Sequence, residues 1–121
     1  MKKKSFKNSS IPNPALKKFA RLIGEWRSVG SHPAFPNTTL HGHSSFKWIE
    51  GGAFLQWNSA IEHKDFPTGI AIFGSDDATK EYFMLYFDER KISRKHVVSF
   101  RNGVLKWWRD APGFSQRYSW K

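Results

Sequence analysis

Short connections between strand-like segments restrict the fold of this sequence more than any other feature. From Trp26 onward, apolar and alternating stretches are separated by turn signals such as Gly51-Gly52 and Asn102-Gly103. The predicted strands cover residues 26–30, 38–50, 53–62, 70–75, 81–88, 92–101, 104–110 and 114–120. No connection is long enough for a helical crossover, so consecutive strands are expected to pair antiparallel. The sequence therefore predicts an all-β, up-and-down antiparallel meander.

The predicted meander is expected to close into a β-barrel of about eight strands, because closure removes unpaired strand edges. Phe, Trp and Tyr make up 17% of the chain, which supplies a core or lines a cavity. Barrels of this size have an interior that is either filled with side chains or holds one small ligand.

A short amphipathic helix is predicted before the first strand. Asn13 is expected to be its N-cap, and Pro14 fits its first position, where no N–H is needed. One face of an α-helix would carry the apolar residues Leu16, Phe19, Ala20 and Ile23. Gly24 allows the backbone conformation that ends a helix. We expect this helix to plug one end of the barrel, with Trp26 just inside it.

Length and charge indicate one domain with a basic extension. The 121 residues divide into a flexible basic tail, 1–13, and a single barrel domain, 14–121. The net charge of +10 suggests a nucleic-acid partner or a membrane surface, but seven basic residues precede Glu25 and no acidic residue does. The tail and an exposed helix face thus explain most of the excess. The chain has no Cys and no apolar run of membrane-spanning length, so a cytoplasmic protein without membrane contact is expected.

Several aromatic and polar residues are candidates for the lining of an interior cavity. These candidates are Trp48, Trp57, Tyr86, Arg94, His96, Trp108 and Gln116. Ordinary core packing explains most of the aromatic residues as well. For His96, three interpretations stay open: a hydrogen-bonded core histidine, a ligand contact or a catalytic base.

His41 and His43 lie two residues apart on a predicted strand, a spacing that suits a metal site. They alternate with the apolar residues, which places them on the outside of the barrel. No carboxylate or Cys lies nearby in the sequence to complete a ligand set. We therefore interpret them as surface histidines and predict no metal site.

The helix followed by Gly24-Glu25-Trp26 resembles the opening motif of the calycin superfamily, which includes lipocalins, fatty-acid-binding proteins and nitrobindin-like barrels. Further stretches are similar to an uncharacterised family of bacterial calycin-like proteins: 30–33, 46–52, 66–69, 86–88 with Arg90 and Arg94, and 108–117. The resemblance implies a barrel with an internal cavity, and an Arg117 side chain that stacks on Trp26 from outside. Nitrobindin-like barrels bind haem through a histidine on a late strand. The strand over 114–120 has no His, so no cofactor is implied.

The sequence departs from that family in two places. Lys91 stands where the family has glycine, and a lysine at positive φ would be strained by about 1 kcal/mol. The family continues with another hairpin, whereas this chain ends at Lys121. The last strand would then leave an open edge, so self-association as a two-fold dimer is expected.

The function that these features indicate is binding of a small hydrophobic or aromatic ligand inside the barrel. Two alternatives stay open. A basic and aromatic surface between Arg90 and Arg109 would suit nucleic acid, and His96 or Tyr86 would serve a cyclase or isomerase. No catalytic set is predicted, because the nucleophile elbow, Cys, and phosphate-loop motifs are absent from the sequence.

Overall fold

The fold is an antiparallel meander, as the short connections predict. A computed structural model describes residues 13–110 and, for the backbone alone, residues 116–120. The strands are β1 Gly24–His32, β2 Phe35–Ile49, β3 Phe54–Ile61, β4 Gly69–Ser75, β5 Tyr82–Asp88, β6 Ser93–Arg101, β7 Val104–Arg109 and β8 Gln116–Trp120. Each strand pairs antiparallel with the next along the chain. The predicted tail over residues 1–12 lies outside the described residues.

The sheet curls into a half-barrel with one concave face. Trp57 of β3 and Trp107 of β7 lie with their ring centroids 5.0 Å apart. In a flat sheet, strands four places apart would be separated by roughly 19 Å, since neighbours are about 4.8 Å apart. Within the residues that the structure describes, no ladder joins β1 to β8. Closure into an eight-stranded barrel, and the dimer predicted from an open edge, therefore stay predictions.

The segment before β1 is a 3₁₀ helix, Pro14–Leu22, with Asn13 as its N-cap. It buries Leu16, Phe19 and Leu22, which recur every three residues. The predicted α-helical face also included Ala20 and Ile23, and for these two residues the prediction is wrong. Ala20 is exposed, and Ile23 is 39% exposed. A 3₁₀ helix has three residues per turn, so Leu22 replaces them on the buried face.

Asn13 joins the start of this helix to the connection between β2 and β3 by hydrogen bonds. Its side-chain oxygen accepts a hydrogen bond from the backbone N–H of Ala15 at 3.0 Å. Its side-chain amide donates to the carbonyl of Ala53 at 2.9 Å, and its backbone N–H donates to the carbonyl of Gly52 at 2.7 Å. One residue thus caps the helix and holds it against the sheet.

Phe19 is the centre of the core on the concave face. Its ring centroid lies 5.6 Å from that of Phe73, 4.9 Å from that of Tyr82 and 5.6 Å from that of Phe100. These rings belong to β4, β5 and β6, so one side chain of the helix packs against three strands. The helix therefore covers one end of the concave face.

The sequence pattern predicts Trp26 just inside the end that the helix plugs, but the structure leaves this side chain partly exposed. Its side chain is 41% exposed, and its indole N–H donates to the carbonyl of Leu22 at 2.7 Å. All nine residues of β1 are exposed, and within the described part of the chain this strand pairs only with β2. Gly24 has a φ of 127°, which favours glycine and lets the chain pass from the helix into β1.

The tight turns differ in how well the sequence predicts them. Asn102 and Gly103 form the predicted two-residue connection, and both have positive φ, at 52° and 76°. The connection between β2 and β3 is longer than the predicted Gly51-Gly52 turn, because Ile49 pairs with Phe54 and four residues lie between them. Glu50 already turns the chain there, with a φ of 51°.

Lys91 adopts a left-handed backbone conformation, with a φ of 70°, as expected from the resemblance to proteins that have glycine at this position. Replacing Lys91 by Gly should raise the free energy of unfolding by about 1 kcal/mol, because glycine has no Cβ to strain at this φ. Urea denaturation followed by tryptophan fluorescence measures the change. Lys91→Ala is the matched control, since it removes the same charge and keeps the Cβ. Equal stabilisation by both variants would contradict the assignment of strain.

Phe19→Ala should lower the free energy of unfolding by about 3–5 kcal/mol, because it removes a fully buried ring. Trp26→Ala should lower it by only about 1–2 kcal/mol, since that indole is partly exposed. The same urea denaturation compares the two variants. An equal or larger loss for Trp26→Ala would show that Phe19 is not the centre of the core.

Candidate cavity site

The concave face holds a cavity of about 320 Å³ at the end that the helix leaves uncovered. The residues that face one another across β2, β3 and β4 at this end are small: Ser44, Ser59 and Gly69. Four residues away on each strand, in the direction of the helix, the residues that face one another are the large Trp48, Leu55 and Phe73. The cavity thus follows from a change in side-chain size along the same three strands.

Aromatic and apolar side chains make up part of the cavity lining, and polar side chains make up the rest. The apolar lining residues include Trp57, Ile61, Ala71, Met84 and Trp107. The polar lining residues include Tyr86, Arg90, Arg94 and His96, together with Ser44 and Ser59. An apolar lining with a few convergent polar groups is the usual character of a small-molecule site.

A wider depression of about 840 Å³ lies beside the cavity and shares Ser44, Ser59 and Gly69 with it. Four residues that the sequence predicts as a cavity lining belong to the smaller of the two spaces and not to the wider one: Trp57, Tyr86, Arg94 and His96. The smaller cavity is therefore the candidate site.

Tyr86, Asp88 and Arg90 form a hydrogen-bonded cluster at the mouth of the cavity. Tyr86 and Asp88 lie two residues apart on β5 and so share its concave side. The Tyr86 hydroxyl donates to Oδ2 of Asp88 at 2.7 Å. The Arg90 guanidinium donates to the same oxygen through Nη2 at 2.7 Å, and through Nε to Oδ1 at 3.2 Å. The carboxylate therefore bridges the phenol and the guanidinium.

This cluster shifts the protonation of two of its members. Hydrogen bonds from the Arg90 guanidinium hold the pKa of the Asp88 carboxyl well below its usual range, and the Tyr86 hydroxyl lowers it further. Burial, together with the hydrogen bond to Asp88, raises the pKa of Tyr86 to about 12. At neutral pH Asp88 is thus ionised and Tyr86 is a neutral hydrogen-bond donor.

Gly69 leaves room for the Tyr86 ring. A Cβ on Gly69 would lie 2.8 Å from Cε2 and 2.9 Å from Oη of Tyr86. Those distances are too short for any side chain, so the position of the phenol depends on this glycine.

Arg94 and His96 reach the cavity from β6. In the β5–β6 ladder Arg94 lies opposite Tyr86, and His96 lies opposite Met84. His96 is 3% exposed, and its ring meets that of Tyr86 edge-on, with the centroids 6.4 Å apart. The intervening Lys95 points to the convex face, where its ammonium lies 5.2 Å from the centroid of the Phe83 ring.

The structure brings four of the seven predicted cavity residues together: Trp57, Tyr86, Arg94 and His96. Trp48 packs against the core nearer the helix and does not line the cavity. Trp108 lies on the convex side of β7, because the concave side carries Leu105 and Trp107. The side chains of Gln116 and Arg117 lie outside the described residues.

Trp107, Asp88 and Arg90 were not among the predicted site residues. The strand pattern held a signal for Trp107, since the charged Lys106 shares a face with Trp108. Asp88 and Arg90 lie at a strand end and in the following turn, where charged residues are ordinary. Only the tertiary fold shows that they reach the cavity mouth.

His43 has a carboxylate partner that its sequence neighbourhood does not reveal. Its Nε2 lies 2.6 Å from Oε1 of Glu62, and the contact lowers the pKa of the Glu62 carboxyl. The pair lies on the outer side of the β2–β3 ladder, and His41 beside it is exposed. Within the described residues, no group of three His, Cys, Asp or Glu side chains is placed to hold a metal ion.

Comparison with known proteins adds no family assignment. No protein-family model matches this sequence, and a search of the curated proteins gave no match either. The resemblance to calycin-like barrels therefore stays a prediction. No helix among the described residues combines the length and the apolar character needed to cross a membrane.

The raised pKa of Tyr86 predicts a late step in an alkaline titration. Tyr86 should ionise near pH 12, and Tyr86→Phe should remove that step from the absorbance titration of tyrosinate. Because the pKa of Tyr86 is raised in the folded state, the protonated phenol stabilises the fold. This stabilisation is complete below the ordinary pKa of 10.0 and is lost as the pH approaches 12. Tyr82→Phe is the matched control and should leave the late step in place. If the late step persists in Tyr86→Phe, it does not belong to Tyr86, and the effect assigned to the hydrogen-bonded cluster is refuted.

Proposed function

We propose that this chain is a calycin-like β-barrel that binds a small hydrophobic or aromatic ligand on its concave side. The observation that carries the proposal is the composition of the cavity wall. The indoles of Trp57 and Trp107 meet edge to face beside Met84, and they offer an apolar surface for a flat ligand.

The volume of the cavity limits the size of the ligand. About 320 Å³ is at the small end of the range for ligand pockets, which is roughly 300–1,000 Å³. One or two fused rings would fit this space, whereas a long lipid chain would extend beyond it.

Closure of the barrel is part of the proposal. Ser28 of β1 contributes to the cavity lining, so the first strand already borders the ligand space. Pairing of β1 with the last strand would complete the wall on that side and remove the exposed edge of β1.

Titration with N-phenylnaphthylamine, an uncharged dye that fluoresces in apolar surroundings, tests the proposed site. The dye should bind with a blue-shifted increase in emission. Ser59→Phe should abolish this binding, because the new ring would occupy the gap opposite Ser44 and Gly69.

Asn58→Phe is the matched control for this test, since it adds the same ring to the adjacent, exposed position on the convex side. It should leave dye binding unchanged. Equal binding by wild type and Ser59→Phe would place the dye outside the cavity and refute the proposed function. Circular dichroism of both variants checks that the strands are retained.

A further inference from the structure

We propose that the convex face of the sheet docks on the surface of a lipid bilayer that contains anionic lipids. The expectation of no membrane contact rested on the lack of an apolar run long enough to span a bilayer, and a peripheral contact needs no such run. The inference is independent of the cavity, because it concerns the opposite face of the sheet.

Apolar side chains are concentrated on the convex side of β4 and β5. Ile70 lies opposite Phe87, and Ile72 lies opposite Leu85, so two successive rows of this ladder consist of apolar pairs. The exposed fractions of Ile70, Leu85 and Phe87 are 36%, 39% and 38%. Contiguous exposed apolar side chains on a sheet face are often an interaction surface. We define the outer patch as six residues: Ile70, Ile72, Phe83, Leu85, Phe87 and Val97.

Phe83 and Val97 extend the outer patch toward β7. A Cβ on Gly74 would lie 2.7 Å from Cζ of Phe83, so the Phe83 ring lies over this glycine of the neighbouring strand. Phe83 lies opposite Val97 in the β5–β6 ladder, and Val97 lies opposite Trp108 in the next. An indole at the border of an apolar surface is typical of proteins at a membrane interface, because its ring is apolar and its N–H is polar.

Lysines flank the outer patch on both sides. The ladder row through its centre consists, from β2 to β6, of Lys47, Gln56, Ile72, Leu85 and Lys95. Both lysines are exposed, and the ammonium of Lys95 lies 5.2 Å from the centroid of the Phe83 ring. A lysine beside an apolar surface can bury its hydrocarbon stem and keep its ammonium at the level of the lipid headgroups. This order of side chains matches a bilayer with anionic headgroups.

The charge of the whole chain favours the same partner. Lys and Arg number 20 and Asp and Glu number 10, which gives a net charge of +10. Near the outer patch, the acidic Glu89 follows β5, and its carboxylate accepts a hydrogen bond from the backbone N–H of Thr68 at 3.0 Å. The net charge attracts the chain to an anionic surface from a distance, and the outer patch determines which face makes contact.

A second copy of this chain fits the outer patch less well than a bilayer. Four strands about 4.8 Å apart and four residues of about 3.4 Å each give an area of roughly 250 Å², whereas a stable interface buries about 800 Å² per partner. A two-fold dimer would also bring Lys47 and Lys95 of both copies to one interface, where like charges repel.

A nucleic acid also fits the outer patch less well. Nucleic acids are bound by cations together with aromatic rings that stack on the bases. The centre of the outer patch is instead aliphatic, with Ile72 opposite Leu85.

Sedimentation with sucrose-loaded vesicles tests the inference on the full chain. Wild type should bind vesicles of equal parts phosphatidylcholine and phosphatidylglycerol at least about tenfold more tightly than vesicles of phosphatidylcholine alone, because two lysines contact anionic headgroups. Leu85→Ser should weaken binding to the anionic vesicles by about five- to tenfold, since an exposed apolar side chain no longer enters the bilayer interface.

Val29→Ser is the matched control for Leu85→Ser. Val29 is an aliphatic residue of β1 that is 69% exposed and lies outside the outer patch. This variant should bind the anionic vesicles as wild type does. An equal loss of binding in Val29→Ser and Leu85→Ser would overturn the inference, and so would equal binding of wild type to the two kinds of vesicle.

The lysines have a charge-matched control of their own. Lys47→Gln/Lys95→Gln should weaken binding to the anionic vesicles by about ten- to thirtyfold. Lys17→Gln/Lys64→Gln removes the same charge from exposed positions outside the outer patch, and it should weaken binding by about threefold at most. Equal losses in the two double variants would show that net charge alone attracts the chain, which would overturn the inference.

Two further measurements examine the other occupants. Titration with a single-stranded oligonucleotide and sedimentation equilibrium are compared for wild type and Leu85→Ser. If wild type does not bind the anionic vesicles, and Leu85→Ser removes oligonucleotide binding or a dimer, the outer patch belongs to that partner and the inference is overturned. Circular dichroism checks the fold of each variant, and the vesicle comparison with the lysine variants decides the matter even if Leu85→Ser does not fold.

Discussion

Burial of the Phe19 ring against β4, β5 and β6 is the contact on which the rest of this structure depends. An open, curled sheet exposes its concave face, and here a single short helix covers one end of it. The helix is short and of the 3₁₀ type, so its own hydrogen bonds stabilise it weakly. Its position is secured by Asn13, whose backbone and side-chain amides bond to the connection between β2 and β3.

The covered and uncovered ends of the concave face differ in chemistry because they differ in side-chain size. Beneath the helix, large side chains such as Phe73 interlock with Phe19 and exclude water. Two rows away, Ser44, Ser59 and Gly69 leave a space that these strands cannot fill themselves. The helix therefore covers the packed end of the concave face, and the cavity lies at the opposite end.

Electrostatics at the open end are arranged around one carboxylate. Asp88 accepts hydrogen bonds from Tyr86 and Arg90, which fixes the phenol as a donor and compensates the charge of the Arg90 guanidinium. Arg94 lies on the neighbouring strand opposite Tyr86.

Local pattern determined most of the secondary structure of this protein. Alternation and turn residues placed β6 at 92–101, and the structure has it at Ser93–Arg101. The Asn102-Gly103 turn followed from backbone sterics alone. Such features depend on neighbouring residues only, so they can be predicted from the chain in isolation.

The tertiary structure decided which residues meet. The choice between Trp107 and Trp108 depended on the register of β6 with β7, and a shift of one residue exchanges the two faces. Leu22 is buried in place of Ala20 and Ile23 because contact with the sheet accompanies a 3₁₀ rather than an α geometry. The bridge from Tyr86 through Asp88 to Arg90 and the gap above Gly69 arise only when several strands are aligned. Both depend on distances across the sheet, and the sequence pattern of one strand contains no information about those distances.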